Sequence, residues 1–176
     1  MKTLYLLRHG KSSWDDATLD DHDRPLATRG IKAAARVGRH LKVRGVAPDR
    51  VLCSTARRAT DTLDIVLDAL LPGRDSRTVA VERDRGLYLA GSAALLARLQ
   101  AVPDDAASVL LVGHNPDLHD LSMALAAEGD EAGLRALAVK FPTAACAIIR
   151  FPDGPWSGLV PGSGHLVEFV IPRKLA

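Results

Sequence analysis

The stretch Leu4-Tyr5-Leu6-Leu7-Arg8-His9-Gly10 places a cation, an imidazole and a glycine directly after an apolar run. A second apolar run, at residues 109–112, leads through Gly113 to His114, and a third, at 51–53, is followed shortly by Arg57-Arg58. Residues 4–7 and 109–112 are apolar on both faces instead of alternating, which is typical of strands covered by helices on both sides of a mostly parallel sheet. These runs predict an open α/β sheet whose strands end in polar side chains.

Strand and helix patterns alternate along most of the chain. Strands are predicted near residues 3–8, 50–54, 78–82 and 108–113, and helices near 29–44, 57–71, 91–101 and 116–127. Two further strands are predicted at 144–151 and 165–171, joined by a Gly/Pro/Ser-rich stretch at 152–164 that indicates a surface loop or hairpin. The repeated βα unit predicts an α/β three-layer sandwich, with a mostly parallel central sheet and helices on both faces.

The size and charge of the chain restrict its class. A length of 176 residues suits one domain, predicted to span residues 1–176. The 23 Lys and Arg and 21 Asp and Glu residues leave a net charge of +2, which by itself indicates neither a nucleic-acid nor a membrane partner. Arg8 comes too early for a secretory apolar region, and no apolar run approaches the length of a membrane span. We therefore expect a cytoplasmic protein.

Cysteine and histidine usage gives no sign of a metal site. Cys53 and Cys146 both lie in apolar strand-like runs, which is typical of small core residues. His114 and His119 are five residues apart, off the i, i+4 spacing of a helical metal pair. We expect no metal and no other cofactor.

The carboxyl ends of the predicted strands carry the residues with chemical potential. His9, Arg58 and His114 each follow such an end, and ligands of open α/β sheets bind there. Guanidinium groups match phosphate oxygens bidentately, and a neutral imidazole can attack phosphorus. These residues together with Arg8 therefore predict one pocket that handles phosphoryl groups. The other four histidines lack this context and are expected to be ordinary core or loop residues: His22, His40, His119 and His165.

A long acidic segment, residues 14–23, connects the first strand to the first helix and carries five aspartates. Long loops in compact domains are often functional, and this one leaves the predicted pocket. Lys11 and Ser12, directly after the Arg-His-Gly motif, are candidate substrate-binding residues.

Three segments together form a more specific pattern: Arg8-His9-Gly10, residues 54–62 and Gly113-His114-Asn115-Pro116. They resemble the signature segments of the histidine phosphatase superfamily, which has the phosphoglycerate-mutase-like fold. Arg24-Pro25-Leu26 followed by Gly30, the short length and the absence of a large cap insertion resemble the phosphohistidine phosphatases of the SixA type.

The resemblance implies roles for four residues. His9 matches the nucleophile that becomes phosphorylated, and Arg8, Arg58 and His114 match the groups that hold the phosphate. At Arg57-Arg58 the motif register favours Arg58. A protonated His114 would add a further donor to the phosphate.

The chain also departs from the superfamily pattern. Many members have a carboxylic acid after the third strand, which protonates an alkoxide leaving group, and no clean counterpart stands here. Glu82 and Asp84 are the candidates, although their arginine neighbours favour ionised surface carboxylates. An enzyme without a strong acid should act best on leaving groups that depart easily, such as the imidazole of phosphohistidine.

We therefore predict a metal-independent phosphatase that hydrolyses protein phosphohistidine through a phospho-His9 intermediate. Two alternatives stay open: a phosphatase for a small phosphorylated metabolite, and a noncatalytic phosphate-binding or partner-docking module. The expected partner is a phosphorylated protein or a small phosphorylated substrate, with no nucleic acid and no membrane.

Overall fold

A computed structural model describes residues 1–73 and 79–176 of the chain. Within them one sheet contains seven strands: β1 Lys2–Arg8, β2 Arg50–Ser54, β3 Ala80–Asp84, β4 Ser108–Gly113, β5 Ala126–Gly129, β6 Cys146–Phe151 and β7 Gly164–Val170. Their spatial order is β3-β2-β4-β1-β6-β7-β5. Only β6 runs antiparallel to its neighbours in this sheet, so the prediction of a mostly parallel sheet is confirmed.

Helices cover both faces of the sheet. They are α1 Thr28–Val43, α2 Arg57–Leu70, α3 Ser92–Gln100, α4 Asp117–Leu125 and α5 Glu131–Val139. Successive strand side chains point to opposite faces, so Leu6 packs in one apolar cluster with Leu99 of α3, while Leu7 packs in a second cluster with Leu41 of α1. The predicted three-layer α/β fold is therefore confirmed.

The bounds of several elements differ from the predicted ones by one or two residues; β6, for example, begins at Cys146 instead of residue 144. The third strand begins at Ala80 instead of residue 78, and residue 78 lies outside the described residues. The predicted helix at 116–127 ends at Leu125, and the chain then forms β5 and α5, which the sequence patterns did not predict. A four-residue strand is too short to show a period. The cap of α5 carried a signal, because the Asp130 carboxylate accepts a hydrogen bond from the Gly133 N–H at 2.8 Å.

The stretch at residues 152–164 joins β6 and β7, which pair as an antiparallel hairpin, as predicted. Its assignment to the surface was only partly right. Trp156 is fully buried, and its indole N–H donates to the Ala106 carbonyl at 2.8 Å. A buried indole with a satisfied N–H anchors this loop to the core.

Strand register places three strand ends at one edge. β1 pairs in parallel with β4, with Arg8 opposite Gly113, and β4 pairs with β2, with Cys53 opposite Val112. The residues that follow β1, β2 and β4 therefore emerge side by side.

Cys53 and Cys146 are both free and buried, as expected of core residues. Among the helices of the described residues, none has both the length and the apolar character of a membrane span.

Candidate active site

The structure brings Arg8, His9, Arg58 and His114 together around one pocket of about 270 Å³. The other residues that line it are Lys11, Ser12, Trp14, Arg24, Leu89, Asn115 and Thr143. The lining therefore combines two imidazoles, three guanidiniums and one ammonium, and no carboxylic acid of the described residues belongs to it. None of the histidines at positions 22, 40, 119 and 165 lines this pocket.

The two glycines of the sequence motifs allow the loop after β1 to touch the start of α1. A Cβ atom on Gly10 would lie 2.8 Å from the Gly30 carbonyl oxygen, and one on Gly30 would lie 2.2 Å from the Lys11 carbonyl oxygen. The Gly10 N–H also donates to Thr62 Oγ1 of α2 at 2.9 Å. Both helices therefore hold the backbone that directly follows His9.

His9 is buried, and its hydrogen bonds define its tautomer. Its Nδ1 lies 2.7 Å from the Gly10 carbonyl oxygen, which can only accept, so Nδ1 carries the proton. Nε2 then keeps its lone pair, and the Arg58 Nε–H points to it at 3.4 Å. Burial lowers the pKa of His9 to about 4, with the charges of Arg58 and Arg8 acting in the same direction and the Gly10 carbonyl opposing them. At neutral pH the ring is therefore uncharged, and a neutral imidazole can attack phosphorus.

Arg58, in the first turn of α2, is the buried member of the arginine pair. Its Nη1 donates to the Asp21 carbonyl at 2.7 Å and its Nη2 to the Asp21 carboxylate at 2.9 Å. Arg57 is exposed and lies 3.6 Å from Asp61, one helical turn away. The structure thus directs Arg58 into the pocket and Arg57 to the surface.

Arg8 supplies a second guanidinium from the end of β1. Its Nη1 donates to the Phe141 carbonyl at 2.9 Å, while its buried Nε–H has no hydrogen-bond partner among the described residues. Burial lowers the pKa of Arg8, and the charge of Arg58 lowers it further. A bound anion would satisfy the free N–H and relieve the repulsion between these two cations.

His114 lies beside His9, with 5.1 Å between the ring centroids. Its Nε2 is 2.8 Å from Ser54 Oγ, and its buried Nδ1 has no partner in the described part of the chain. Burial, together with the neighbouring His9 and Arg58, lowers the pKa of His114 to about 3. The ring is therefore neutral at neutral pH, which differs from the protonated donor that the motif suggested.

Arg24 also lines the pocket, although it was not predicted as a site residue from the sequence. It is buried, donates to the Ser13 carbonyl at 3.2 Å, and stacks on Trp14 with 3.3 Å between the guanidinium carbon and the ring centroid. The Arg24-Pro25-Leu26 motif was the sequence signal that could have indicated this position. An arginine is rarely buried unless its guanidinium is paired, as it is here.

The two candidate substrate-binding residues differ in their surroundings. Lys11 is exposed at the edge of the pocket. Ser12 is buried, and its hydroxyl oxygen accepts a hydrogen bond from Arg24 Nη2. Ser12 therefore positions Arg24, and its own hydroxyl hydrogen is free to donate.

The acidic loop holds the arginines through Asp21. Its carboxylate accepts from Arg24 Nη1 at 2.9 Å, from Arg58 Nη2, and from the Tyr88 hydroxyl. Burial by itself raises the pKa of the Asp21 carboxyl, but the hydrogen bonds from Tyr88 and Arg58 and the nearby positive charges lower it overall. An ionised Asp21 thus orients two guanidiniums at the pocket.

Glu82 and Asp84 are engaged elsewhere. Glu82 pairs with Arg98 and lies 3.8 Å from Arg50, and the Asp84 carboxylate accepts from the Gly86 N–H at 2.7 Å. Neither lines the pocket. Among the described residues, no three His, Cys, Asp or Glu side chains lie close enough together to hold a metal ion.

Comparison with known proteins agrees with this geometry. The family model of the histidine phosphatase superfamily, branch 1, matches residues 4–87, and the chain belongs to this superfamily. The Mycobacterium tuberculosis protein Rv1276c is 38% identical over 169 residues, which cover 95% of this chain and all of that protein.

Solved structures of SixA proteins are also similar. A candidate phosphohistidine phosphatase SixA from Nakamurella multipartitia is 30% identical, with a TM-score of 0.81 over 97% of this chain and 96% of that one. The protein histidine phosphatase SixA, solved in complex with tungstate, is 28% identical, with a TM-score of 0.75 over 97% of both chains. Within the superfamily the chain is SixA-like, and it is a phosphatase by class.

Proposed function

We propose that this protein is a cytoplasmic, metal-independent phosphatase that hydrolyses phosphohistidine on proteins through a phospho-His9 intermediate. The observation that carries the proposal is the neutral His9 ring, whose Nε2 lone pair faces a pocket lined by Arg8, Arg24 and Arg58 and by no described carboxylic acid. The similarity to SixA proteins supports the same substrate class.

In the first step the His9 Nε2 lone pair attacks phosphorus in line. The bond from phosphorus to Nε2 forms, the bond from phosphorus to the substrate imidazole breaks, and the imidazole leaves with the electron pair and takes a proton from water. Arg8, Arg24 and Arg58 neutralise the charge on the three equatorial oxygens, which is the main catalytic requirement of phosphoryl transfer.

In the second step water attacks the phosphorus of phospho-His9. The bond from phosphorus to Nε2 breaks, inorganic phosphate leaves, and His9 regains its lone pair. The hydrogen bond from Nδ1–H to the Gly10 carbonyl persists through both steps and keeps the ring in one orientation for both displacements. Neither step requires a metal ion, since the guanidiniums supply the positive charge.

The substrate is tested by comparing a protein phosphorylated on histidine with a panel of sugar and alkyl phosphates under identical conditions, with and without EDTA. We expect kcat/KM to be at least about 100-fold higher for phosphohistidine, and EDTA to leave the rate unchanged. A preference for one sugar phosphate would support the metabolite alternative. Absence of turnover on every substrate would support the noncatalytic module.

The intermediate is tested by rapid acid-free quenching with ³²P-labelled substrate. We expect a base-stable, acid-labile label on the parent and none on His9→Gln, whose turnover should fall by at least about 10⁴-fold. His40→Gln serves as the control, because His40 lies outside the pocket and contacts Glu168. A label on serine, aspartate or cysteine would exclude His9 as the nucleophile.

A further inference from the structure

A second and larger cavity opens beside the catalytic pocket. It has a volume of about 440 Å³ and shares two lining residues, Lys11 and Thr143, with the catalytic pocket. We call it the basic groove; the rest of its lining is Arg29, Lys32, Ala33, Arg36, Lys140, Pro142, Ile171, Pro172 and Arg173. The two cavities are therefore continuous at the loop that follows His9.

The basic groove carries an unbalanced positive charge. Six of its lining residues are Lys or Arg and none is Asp or Glu. Among the described residues no carboxylate lies within ion-pair distance of any of the six, and only Arg36 has a side-chain hydrogen bond to a neighbouring element, to the Pro172 carbonyl at 3.4 Å. With these six set aside, the 17 remaining basic residues of the chain are outnumbered by its 21 acidic ones. The positive potential is thus concentrated next to the catalytic pocket.

Three of the basic residues form a row along one face of α1. Arg29, Lys32 and Arg36 follow the i, i+3, i+7 spacing of one helix face, so their Cα atoms extend over about 10 Å along the groove. A row of this length matches several residues of an extended polypeptide, whose side chains on one face recur about every 7 Å.

The floor of the groove distinguishes between polyanions. It is aliphatic, from Ile171, Pro172 and Pro142, and its lining contains no aromatic ring on which a base could stack. Single-stranded nucleic acids are bound by stacking platforms beside basic residues. An acidic polypeptide needs cations and an apolar floor, both of which are present.

We propose that the basic groove docks an acidic segment of the phosphoprotein substrate, next to the phosphohistidine that enters the catalytic pocket. The proposal rests on the proposed function. A polypeptide fits the groove better than a small ligand does. The groove is built mainly from exposed cationic side chains beside an open pocket, whereas small ligands usually bind in enclosed, largely apolar cavities.

The test uses two double variants of α1 with the same loss of charge. Arg29→Gln/Lys32→Gln removes two exposed cations from the basic groove. Arg39→Gln/Lys42→Gln removes an exposed Arg and Lys at the same i, i+3 spacing on the same helix, but neither residue lines the groove. None of the four lines the catalytic pocket.

Two phosphohistidine peptides serve as substrates, one with glutamates flanking the phosphohistidine and one with glutamines in their place. For the glutamate peptide we expect KM to rise about tenfold in Arg29→Gln/Lys32→Gln, with kcat unchanged, and to rise less than twofold in Arg39→Gln/Lys42→Gln. The glutamine peptide should show no difference among the three proteins. Added salt should raise the KM of the parent for the glutamate peptide only.

Binding measured separately keeps the docking test independent of the proposed function. Fluorescence anisotropy with an unphosphorylated, labelled glutamate peptide should show about tenfold weaker binding to the groove variant, even if the parent does not hydrolyse phosphohistidine. Equal binding by all three proteins would overturn the proposal, as would equal losses in the two variants. Tighter competition by a DNA oligonucleotide or a diphosphorylated sugar than by the peptide would also overturn it, because the groove would then select another anion.

Discussion

At the scale of single residues, the site depends on which nitrogen of His9 carries a proton. The Gly10 carbonyl accepts a hydrogen bond from Nδ1–H, and burial disfavours protonation of Nε2. The neighbouring guanidiniums also lower the pKa of this ring, since positive charges beside an imidazole disfavour its charged form. The guanidiniums that we propose to bind phosphate therefore also keep the His9 ring uncharged.

The two adjacent arginines give a prediction with a built-in control. Arg58→Ala should lower kcat/KM by a factor of about 10² to 10³, since loss of a charged contact to the transition state costs about 3–4 kcal/mol. Arg57→Ala should stay within about threefold of the parent, because its side chain is exposed and pairs with Asp61. Steady-state kinetics on phosphohistidine substrate measures both, and the opposite ranking would show that Arg57 is the phosphate ligand.

At the scale of elements, β3 contributes no proton donor to the pocket. It lies at the edge of the sheet, and its carboxylates engage Arg98, Arg50 and the Gly86 N–H. Local ion pairs therefore account for both acidic side chains.

Substitutions in β3 test this point. Glu82→Gln and Asp84→Asn should each change kcat on phosphohistidine by less than about threefold. On a series of aryl phosphates the rate should fall steeply as the pKa of the leaving group rises, because no carboxylic acid of the described residues lines the pocket to protonate it. A flat dependence, or loss of activity in either variant, would mean that one of these carboxyl groups is the acid.

The contact between α1 and the loop after β1 is a second feature of this scale. Gly30 lies in the first turn of α1, where alanine would favour the helix by about 1 kcal/mol. Its Cβ would, however, lie 2.2 Å from the Lys11 carbonyl oxygen, so the helix or the loop that carries His9 must shift. The packing conflict should exceed the gain in helix propensity.

We expect Gly30→Ala to lower the free energy of unfolding by about 2–4 kcal/mol and to reduce activity more than tenfold. Gly158→Ala is the control, because a Cβ there would meet Pro155 at an ordinary contact distance of 3.8 Å. Urea denaturation and steady-state kinetics measure the two effects. Equal stabilities for the two variants would show that the loop adjusts without cost.

At the scale of the whole molecule, burial of neutral histidines makes stability depend on pH. The folded pKa of His9, about 4, lies below the unfolded value of about 6.5, so the unfolded state binds more protons between these limits. The folded state therefore loses stability as the pH falls from about 6.5 towards 4. His114 acts in the same direction, with its pKa lowered to about 3.

Urea denaturation of the parent and of His9→Gln at pH 7 and pH 5 isolates this contribution. Between the two pH values the parent should lose about 2 kcal/mol more than the variant, because glutamine does not titrate. Equal losses would show that His9 has an ordinary pKa in the folded protein.

The sequence by itself determined the sheet class, four strand–helix units and the pocket residues Arg8, His9, Arg58 and His114. These were accessible because apolar runs, helical periods and strand-end motifs are local patterns, and because parallel strand ends meet at one edge. β5 and α5 were missed, and the four residues of β5 are too few to show a period.

Only the tertiary structure decided the contacts between residues far apart in the chain. The approach of Gly30 to Lys11 joins a helix and a loop, and the hydrogen bonds from Arg24 and Arg58 to Asp21 also join a loop and a helix. The basic groove combines α1 with residues 140–143 and 171–173, so its charge is invisible in a net charge of +2. Electrostatic fields and packing depend on distances in space, which no spacing along the chain specifies.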